Sequence, residues 1–211
     1  MRVSCIVVAA GSGARFGSAK QFATLAGTRL VDIAVDLASR HADEVVVVLP
    51  PGRAWDGAPV AACVPGGAQR SDSVRAGLGA IATDTDVVVV HDAARPLASP
   101  ALFDAVVAAV RAGADGAVPG LPVTDTIKRV EGDRVVDTVD RSALVAVQTP
   151  QAFRAEVFRR AHASGADATD DAALVESVGG TVVVVPGEAT NLKITGARDL
   201  VVAAALLEEA R

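Results

Sequence analysis

The strongest constraint on this chain is its opening. An apolar run over residues 3–10, without period-two alternation, leads directly into Gly11-Ser-Gly13-Ala-Arg15-Phe-Gly17-Ser-Ala-Lys20-Gln21. An unalternated apolar run of this length reads as a strand buried on both faces. The glycines at 11, 13 and 17 then let the backbone turn tightly and approach a ligand with no Cβ in the way. Such a loop offers consecutive backbone N–H groups to phosphate oxygens. Arg15 and Lys20 add two cations, which suits a triphosphate better than a single phosphodiester.

Two better-known glycine loops do not fit. A P-loop closes on Gly-Lys-Ser/Thr, and the chain contains no Gly-Lys pair. A dinucleotide-binding loop wants G-x-G-x-x-G and an acid about 20 residues later for the ribose. Here the third glycine comes one residue late, and the second strand ends in Leu49-Pro50-Pro51-Gly52 without an acid.

The 211 residues suit a single domain spanning 1–211. No apolar stretch approaches the ~20 residues of a membrane span, and no charged segment followed by an apolar one opens the chain. Cys5 and Cys63 are expected to be reduced core thiols of a cytoplasmic protein. A net charge of −5 and 3% aromatic residues argue against a nucleic-acid partner. Cations gathered in a few loops of an acidic chain point instead to a small anionic substrate.

Strands expected at 45–49, 60–64, 86–90, 116–119 and 181–185 alternate with helices at 30–40, after 70, at 99–112, 154–164, 170–178 and 197–209. This pattern predicts an α/β, Rossmann-like fold with a mainly parallel twisted sheet flanked by helices. Ser71 or Asp72 is the expected N-cap of the second helix and Thr195 that of the last. The rhythm breaks at about 122–143, where two β-rich runs meet at Glu131-Gly132-Asp133 and predict a protruding hairpin arm. A two-stranded ribbon is marginal alone in water, so it needs its own body or a second copy to pack on. The third core strand delivers His91-Asp92-Ala93-Ala94-Arg95-Pro96 at its carboxyl end, where open α/β sheets bind ligands. Asp92 could hold Mg²⁺ or a ribose hydroxyl there, while His91 reads as a packing residue. Arg15, Lys20, Arg70, Arg95, Arg141 and Lys193 all fall in loops or at element ends. Transfer between phosphates needs such cations for charge neutralisation and positioning.

The ordered set Ala9-Ala10-Gly11-x-Gly13-x-Arg15, Lys20-Gln21, Gly66-Gly67-x-x-Arg70-x-x-Ser73-Val74, His91-Asp92-Ala93-Ala94-Arg95-Pro96, Thr138-Val-Asp-Arg141, Thr149-Pro-Gln151 and Asn191-x-Lys193-x-Thr195 resembles the 2-C-methyl-D-erythritol 4-phosphate cytidylyltransferase family from residue 3 to 200. The resemblance implies transfer of a cytidylyl group from CTP to 2-C-methyl-D-erythritol 4-phosphate by in-line attack at the α-phosphate in the non-mevalonate isoprenoid pathway, giving 4-diphosphocytidyl-2-C-methyl-D-erythritol, with pyrophosphate leaving and Mg²⁺ as the metal. It implies that Arg15, Lys20, Arg141 and Lys193 are catalytic. Ala9, Ala10, Gly11, Gly13, Gly67, Ser73, Asp92 and Ala93 would line the nucleotide site, with Asp92 also beside the metal. Arg95, Thr126, Arg141 and Lys193 would bind the acceptor, the arm reaching across a homodimer. Ala68 and Thr190 depart from the usual pattern, where a polar residue and an Asp are common. The alternatives are a ribitol 5-phosphate or other polyol-phosphate cytidylyltransferase and a nucleotide-binding sensor. An oxidoreductase is disfavoured by the missing ribose acid.

Overall fold

The computed structural model describes residues 1–11, 19–168 and 170–209. The opening run is strand β1 (Val3–Val8), followed past the glycine loop by a 3-10 turn over Lys20–Phe22 and a two-residue hairpin, β2 (Thr24–Leu25) and β3 (Thr28–Arg29). Then come α1 (Leu30–His41), β4 (Glu44–Leu49), β5 (Ala62–Pro65), α2 (Arg70–Leu78), β6 (Val87–Asp92), α3 (Pro100–Arg111) and β7 (Gly116–Pro122). The arm is β8 (Ile127–Glu131) and β9 (Arg134–Val139). The chain ends with β10 (Val145–Val147), β11 (Gln151–Arg154), α4 (Ala155–Ala163), α5 (Asp171–Ser177), β12 (Val182–Pro186) and α6 (Ala197–Glu209).

β1 pairs in parallel with β4 on one side and β6 on the other, and β5 extends the sheet beyond β4. β11 runs antiparallel between β6 and β7, β10 continues along the same edge of β7, and β12 pairs with the opposite edge in parallel. The two antiparallel strands, separated by the cis Thr149-Pro150 peptide, were not expected from the sequence. They are too short for alternation to register. The parallel strands all present their carboxyl ends at one side of the sheet.

Strand side chains alternate between faces, so β1, β4 and β6 feed two cores. Cys5, Val7, Val45, Val47 and Val89 pack with α1 and α3, notably Val35, Phe103 and Val106. Ile6, Val46, Val48, Val88 and Val90 pack with α2, α4 and α5 through Val74, Phe158 and Leu174. Both-face burial is why these strands carry no polar period. At Gly77 on α2 an added Cβ would lie 2.5 Å from Ile6 Cγ2, so glycine lets that helix settle against β1. A smaller cluster of Leu25, Leu30, Ile194 and Ala203 seats α6.

Four details differ from the sequence expectation. The N-cap of α2 is Gln69, with Asp72 three positions on as its reciprocal partner, so neither Ser71 nor Asp72 is the cap. α6 begins at Ala197, so Thr195 precedes the cap position, although its N–H and hydroxyl both donate to Asp199. Cys5 is a core thiol, which burial pushes up in pKa, but Cys63 is exposed on edge strand β5; both are free. The paired part of the arm is narrower than 122–143 and turns at Gly132, whose φ of 60° is the left-handed value that a tight hairpin needs. The arm is largely exposed, with Val130 at 56% and Val135 at 55%. Among the described residues, no helix is long and apolar enough to cross a membrane.

Candidate active site

A cleft of about 320 Å³ opens at the carboxyl ends of β1 and β6. The chain leaves β1 toward β4 and leaves β6 toward β7, so this is the point where the strand order reverses and open α/β sheets bind ligands. Backbone hydrogen bonds set its walls: Ala9 N–H donates to the carbonyl of Val48, Gly66 N–H to Leu49, and Ala93 N–H to Val8. Ala9, Ala10, Gly11, Gly67, Ser73, Asp92 and Ala93 all line the cleft, together with Lys20 and Lys193. Gly13 and Arg15 lie outside the described residues.

The wall made by α2 depends on close approach. A Cβ on Gly66 would sit 2.3 Å from Ala10 Cβ and 2.7 Å from Ser73 Oγ, and one on Gly67 would sit 2.2 Å from Asp72 Cβ. The buried Ser73 hydroxyl accepts from Gly67 N–H and donates to the Gln69 carbonyl, both at 3.2 Å, which fixes the turn. Ala68 also faces the cleft, where it offers only backbone polar groups.

The loop from residue 187 to 195 reaches the cleft because buried polar side chains pin it. Gln148 accepts from Glu188 N–H and donates to the Glu188 carbonyl. The fully buried Asn191 donates to the Thr149 carbonyl at 2.9 Å, and Ile194 N–H donates to the Ala94 carbonyl at 2.7 Å. Lys193 is thereby delivered to Asp92, its Nζ donating to Oδ2 at 2.6 Å. Lys20 approaches from the other side, and its Nζ donates to the Ile194 carbonyl at 2.7 Å. Two cations placed 173 positions apart in sequence therefore share one hollow.

Asp92 is buried and contacts Arg70 as well as Lys193. Burial alone would raise its pKa, but Arg70 and Lys193 outweigh that effect and hold the carboxyl well below the usual range, so it is ionised. Burial likewise works against the Arg70 charge, and Asp92 and Asp171 overcome it, raising the guanidinium further. His91 points into the core instead. Burial pushes its pKa down to about 4, its edge packs on Phe103, and Nδ1 lies 3.2 Å from the Thr149 hydroxyl.

Beside Asp92 a second cavity of about 140 Å³ is lined by Arg95, Gln148, Thr149, Gln151, Asp170 and Lys193, among others. The Arg95 guanidinium donates to the carbonyls of Asn191 at 2.7 Å and Val147 at 3.4 Å, bracing the Lys193 loop. Thr126 and Arg141 are not brought to either cavity within one chain. They sit exposed at the root of the arm, where Arg141 donates to the Thr124 carbonyl. Sequence reasoning had singled out Arg70 without giving it a role, and it passed over Gln148 and Asp171. The partners of these groups lie too far along the chain for spacing to show them.

Among the described residues, no group of three or more His, Cys, Asp and Glu could hold a metal ion. Asp92 is the one carboxylate among the described residues of the cleft wall. Its two oxygens face Arg70 and Lys193, so it would add one ligand, on release of Lys193, to a cation such as Mg²⁺ held mostly by substrate phosphates and water.

The family model for 2-C-methyl-D-erythritol 4-phosphate cytidylyltransferase matches residues 3–209. A protein of that name from Rhodococcus jostii is 48% identical over 98% of this chain and 96% of its own length. Another from Rubrobacter xylanophilus is 42% identical over 96% and 93%. The crystal structure of the Thermus thermophilus protein of the same name superposes with a TM-score of 0.84 at 39% identity, covering 96% of this chain and 98% of that one.

Proposed function

This chain belongs to the 2-C-methyl-D-erythritol 4-phosphate cytidylyltransferase family and transfers a cytidylyl group from CTP to that acceptor, and from this premise we propose how its residues carry the step. A phosphate oxygen of the acceptor attacks the α-phosphorus of CTP in line, the bond from that phosphorus to the α,β-bridging oxygen breaks, and pyrophosphate departs with the electron pair. The obstacle is charge. Each pair of like unit charges 4 Å apart costs about 4 kcal/mol at an effective dielectric near 20, and several such pairs arise as the two phosphates meet. Cations from separate loops remove that cost where the charge develops.

In this reading Lys20 and Arg15 neutralise the α-phosphate and the departing pyrophosphate, and Lys193 orients the acceptor phosphate. Ala9, Ala10, Gly11, Gly13, Gly67, Ser73 and Ala93 shape the cytidine pocket, in part through backbone groups. Asp92 serves the ribose and Mg²⁺, which when bound adds positive charge along the triphosphate. Arg95 supports the acceptor side, and Thr126 and Arg141 complete it from the arm of a second copy in a homodimer. The exposed valines of the arm support that last step, because a solvated ribbon needs a partner. The charged substrates and two free thiols suit a cytoplasmic enzyme.

The reading rests on one observation: Lys20 and Lys193 line the same cleft as Asp92 at the strand tips. The test is pyrophosphate release from CTP with 2-C-methyl-D-erythritol 4-phosphate and ribitol 5-phosphate in parallel. Release is expected with the first acceptor. Release only with the second would reassign the acceptor, and tight CTP binding with release from neither would make the chain a sensor.

A further inference from the structure

Arg70 stands between two buried carboxylates. Its Nη2 and Nε lie 3.3 and 3.4 Å from Asp92 Oδ1, and its Nη1 donates to Asp171 Oδ2 at 2.6 Å. Asp171 is 1% exposed at the start of α5, and its other oxygen lies 3.4 Å from His162 Nε2. The placement of Arg70 is itself fixed. It is the first residue of α2, between the Gln69–Asp72 capping box and Ser71, whose hydroxyl donates to Asp167 at 2.5 Å. A guanidinium is a rigid fork, so the nitrogens that face Asp92 and the one that holds Asp171 are set in place together. Lys193 differs in kind: its ammonium rides on a flexible stem and is 40% exposed.

These contacts bear on a difficulty in the reaction. Lys193 is held by Asp92, yet it must turn to a phosphate. Until Mg²⁺ binds, a buried carboxylate that lost Lys193 with no other cation beside it would be strongly unfavourable, which would tie Lys193 down. We infer that Arg70, anchored by Asp171, is a positioning residue that keeps Asp92 paired while Lys193 moves to the substrate. The buried Asp171 then serves to set Arg70, since a buried ion pair is weak support for stability itself.

The inference rests on the proposed role of Lys193, and the experiment separates the two. Turnover and CTP affinity are measured on the full chain for Lys193→Ala, Arg70→Met, Asp92→Asn and the double variant Arg70→Met/Asp92→Asn, with melting curves to verify folding. Arg70→Met is expected to lower kcat by about 10–100-fold, as loss of supporting partners around a reactive group commonly does, with the CTP Kd changed less than about threefold. In the Asp92→Asn background the same substitution should lower kcat by less than about threefold, because no charge remains to be held. Arg70→Lys and Asp171→Asn carry the test if Arg70→Met does not fold. Arg70→Lys lacks the fork whose separate nitrogens reach the two carboxylates and Asp171→Asn weakens its anchor, so both should lose turnover only while Asp92 is intact. Wild-type turnover in Lys193→Ala overturns the role of Lys193 and this inference with it. An inactive Lys193→Ala combined with an Arg70→Met loss that is equal in both backgrounds overturns this inference alone.

Discussion

The strand-tip cleft and the β8–β9 arm solve opposite problems with the same residue types. In the cleft, Arg70, Lys193 and Asp92 are drawn together from separate elements, and burial multiplies the effect of each charge on the next. On the arm, Lys128, Arg129 and Asp137 stand in solvent, and the 3.8 Å Arg129–Asp137 pair is of the kind worth little. The lesson is that a cation's role follows from what surrounds it. Thr126 and Arg141 sit on the arm's root with the surroundings of ordinary surface groups, so they gain an acceptor role only if a second copy encloses them.

The largest effect should come from the cleft. Lys20→Ala is expected to lower kcat by about 10²–10³-fold with a much smaller change in CTP affinity, the pattern of a group that acts on developing charge. Near-normal turnover would remove Lys20 from catalysis. For the arm, Arg141→Ala should lower kcat/KM for the acceptor on the order of 10²-fold with CTP affinity unchanged. Mixing the Lys20→Ala and Arg141→Ala chains should restore activity, because one mixed site receives an intact body and an intact arm. No recovery after verified subunit exchange would mean that the arm does not act in trans.

Two further substitutions sharpen the contrast between binding wall and scaffold. Gly66→Ala must push Ala10 and Ser73 apart, and should destabilise the fold by about 1–3 kcal/mol while weakening CTP binding. An unchanged Kd in calorimetry would show that this wall does not touch the nucleotide. At the far end of the sheet, half-buried Glu44 accepts from Ser4 Oγ at 2.6 Å and Ala82 N–H at 2.7 Å and faces Arg2 at 3.5 Å. Burial opposes its charge, but these partners win and hold its pKa below the ordinary value. Its contribution to stability is therefore present above the unfolded carboxyl pKa of about 4.3 and fades as pH falls through the folded value. Glu44→Gln should cost about 1 kcal/mol at neutral pH, flatten the loss of stability below about pH 5, and leave turnover unchanged. Thermal melts across pH and one assay check all three.

Much of this architecture could be read from the chain because buried parallel strands and glycine turns leave local marks. The apolar runs of β1, β4 and β6 announced strands buried on both faces, and Gly132 announced the arm's turn. β10 and β11 left no such mark, since three or four residues around Thr149-Pro150 are too few to show a period. The α2 cap was misplaced because Gln69 is not a usual cap residue, and the reciprocal Asp72 bond is what makes it serve as one. Arg70 was visible as a cation, but Asp171, 101 positions away, is visible beside it only in the fold. Gln148 carries no local mark at all, yet it holds the loop that carries Lys193.

The most direct test of the central claim is a crystal structure with a non-reactive CTP analogue and the acceptor both bound. The account predicts Arg15, Lys20 and Lys193 all within hydrogen-bond reach, about 3 Å, of phosphate oxygens in the cleft between β1 and β6. A triphosphate lying elsewhere, with Lys193 still on Asp92 and Lys20 still on the Ile194 carbonyl, would contradict it.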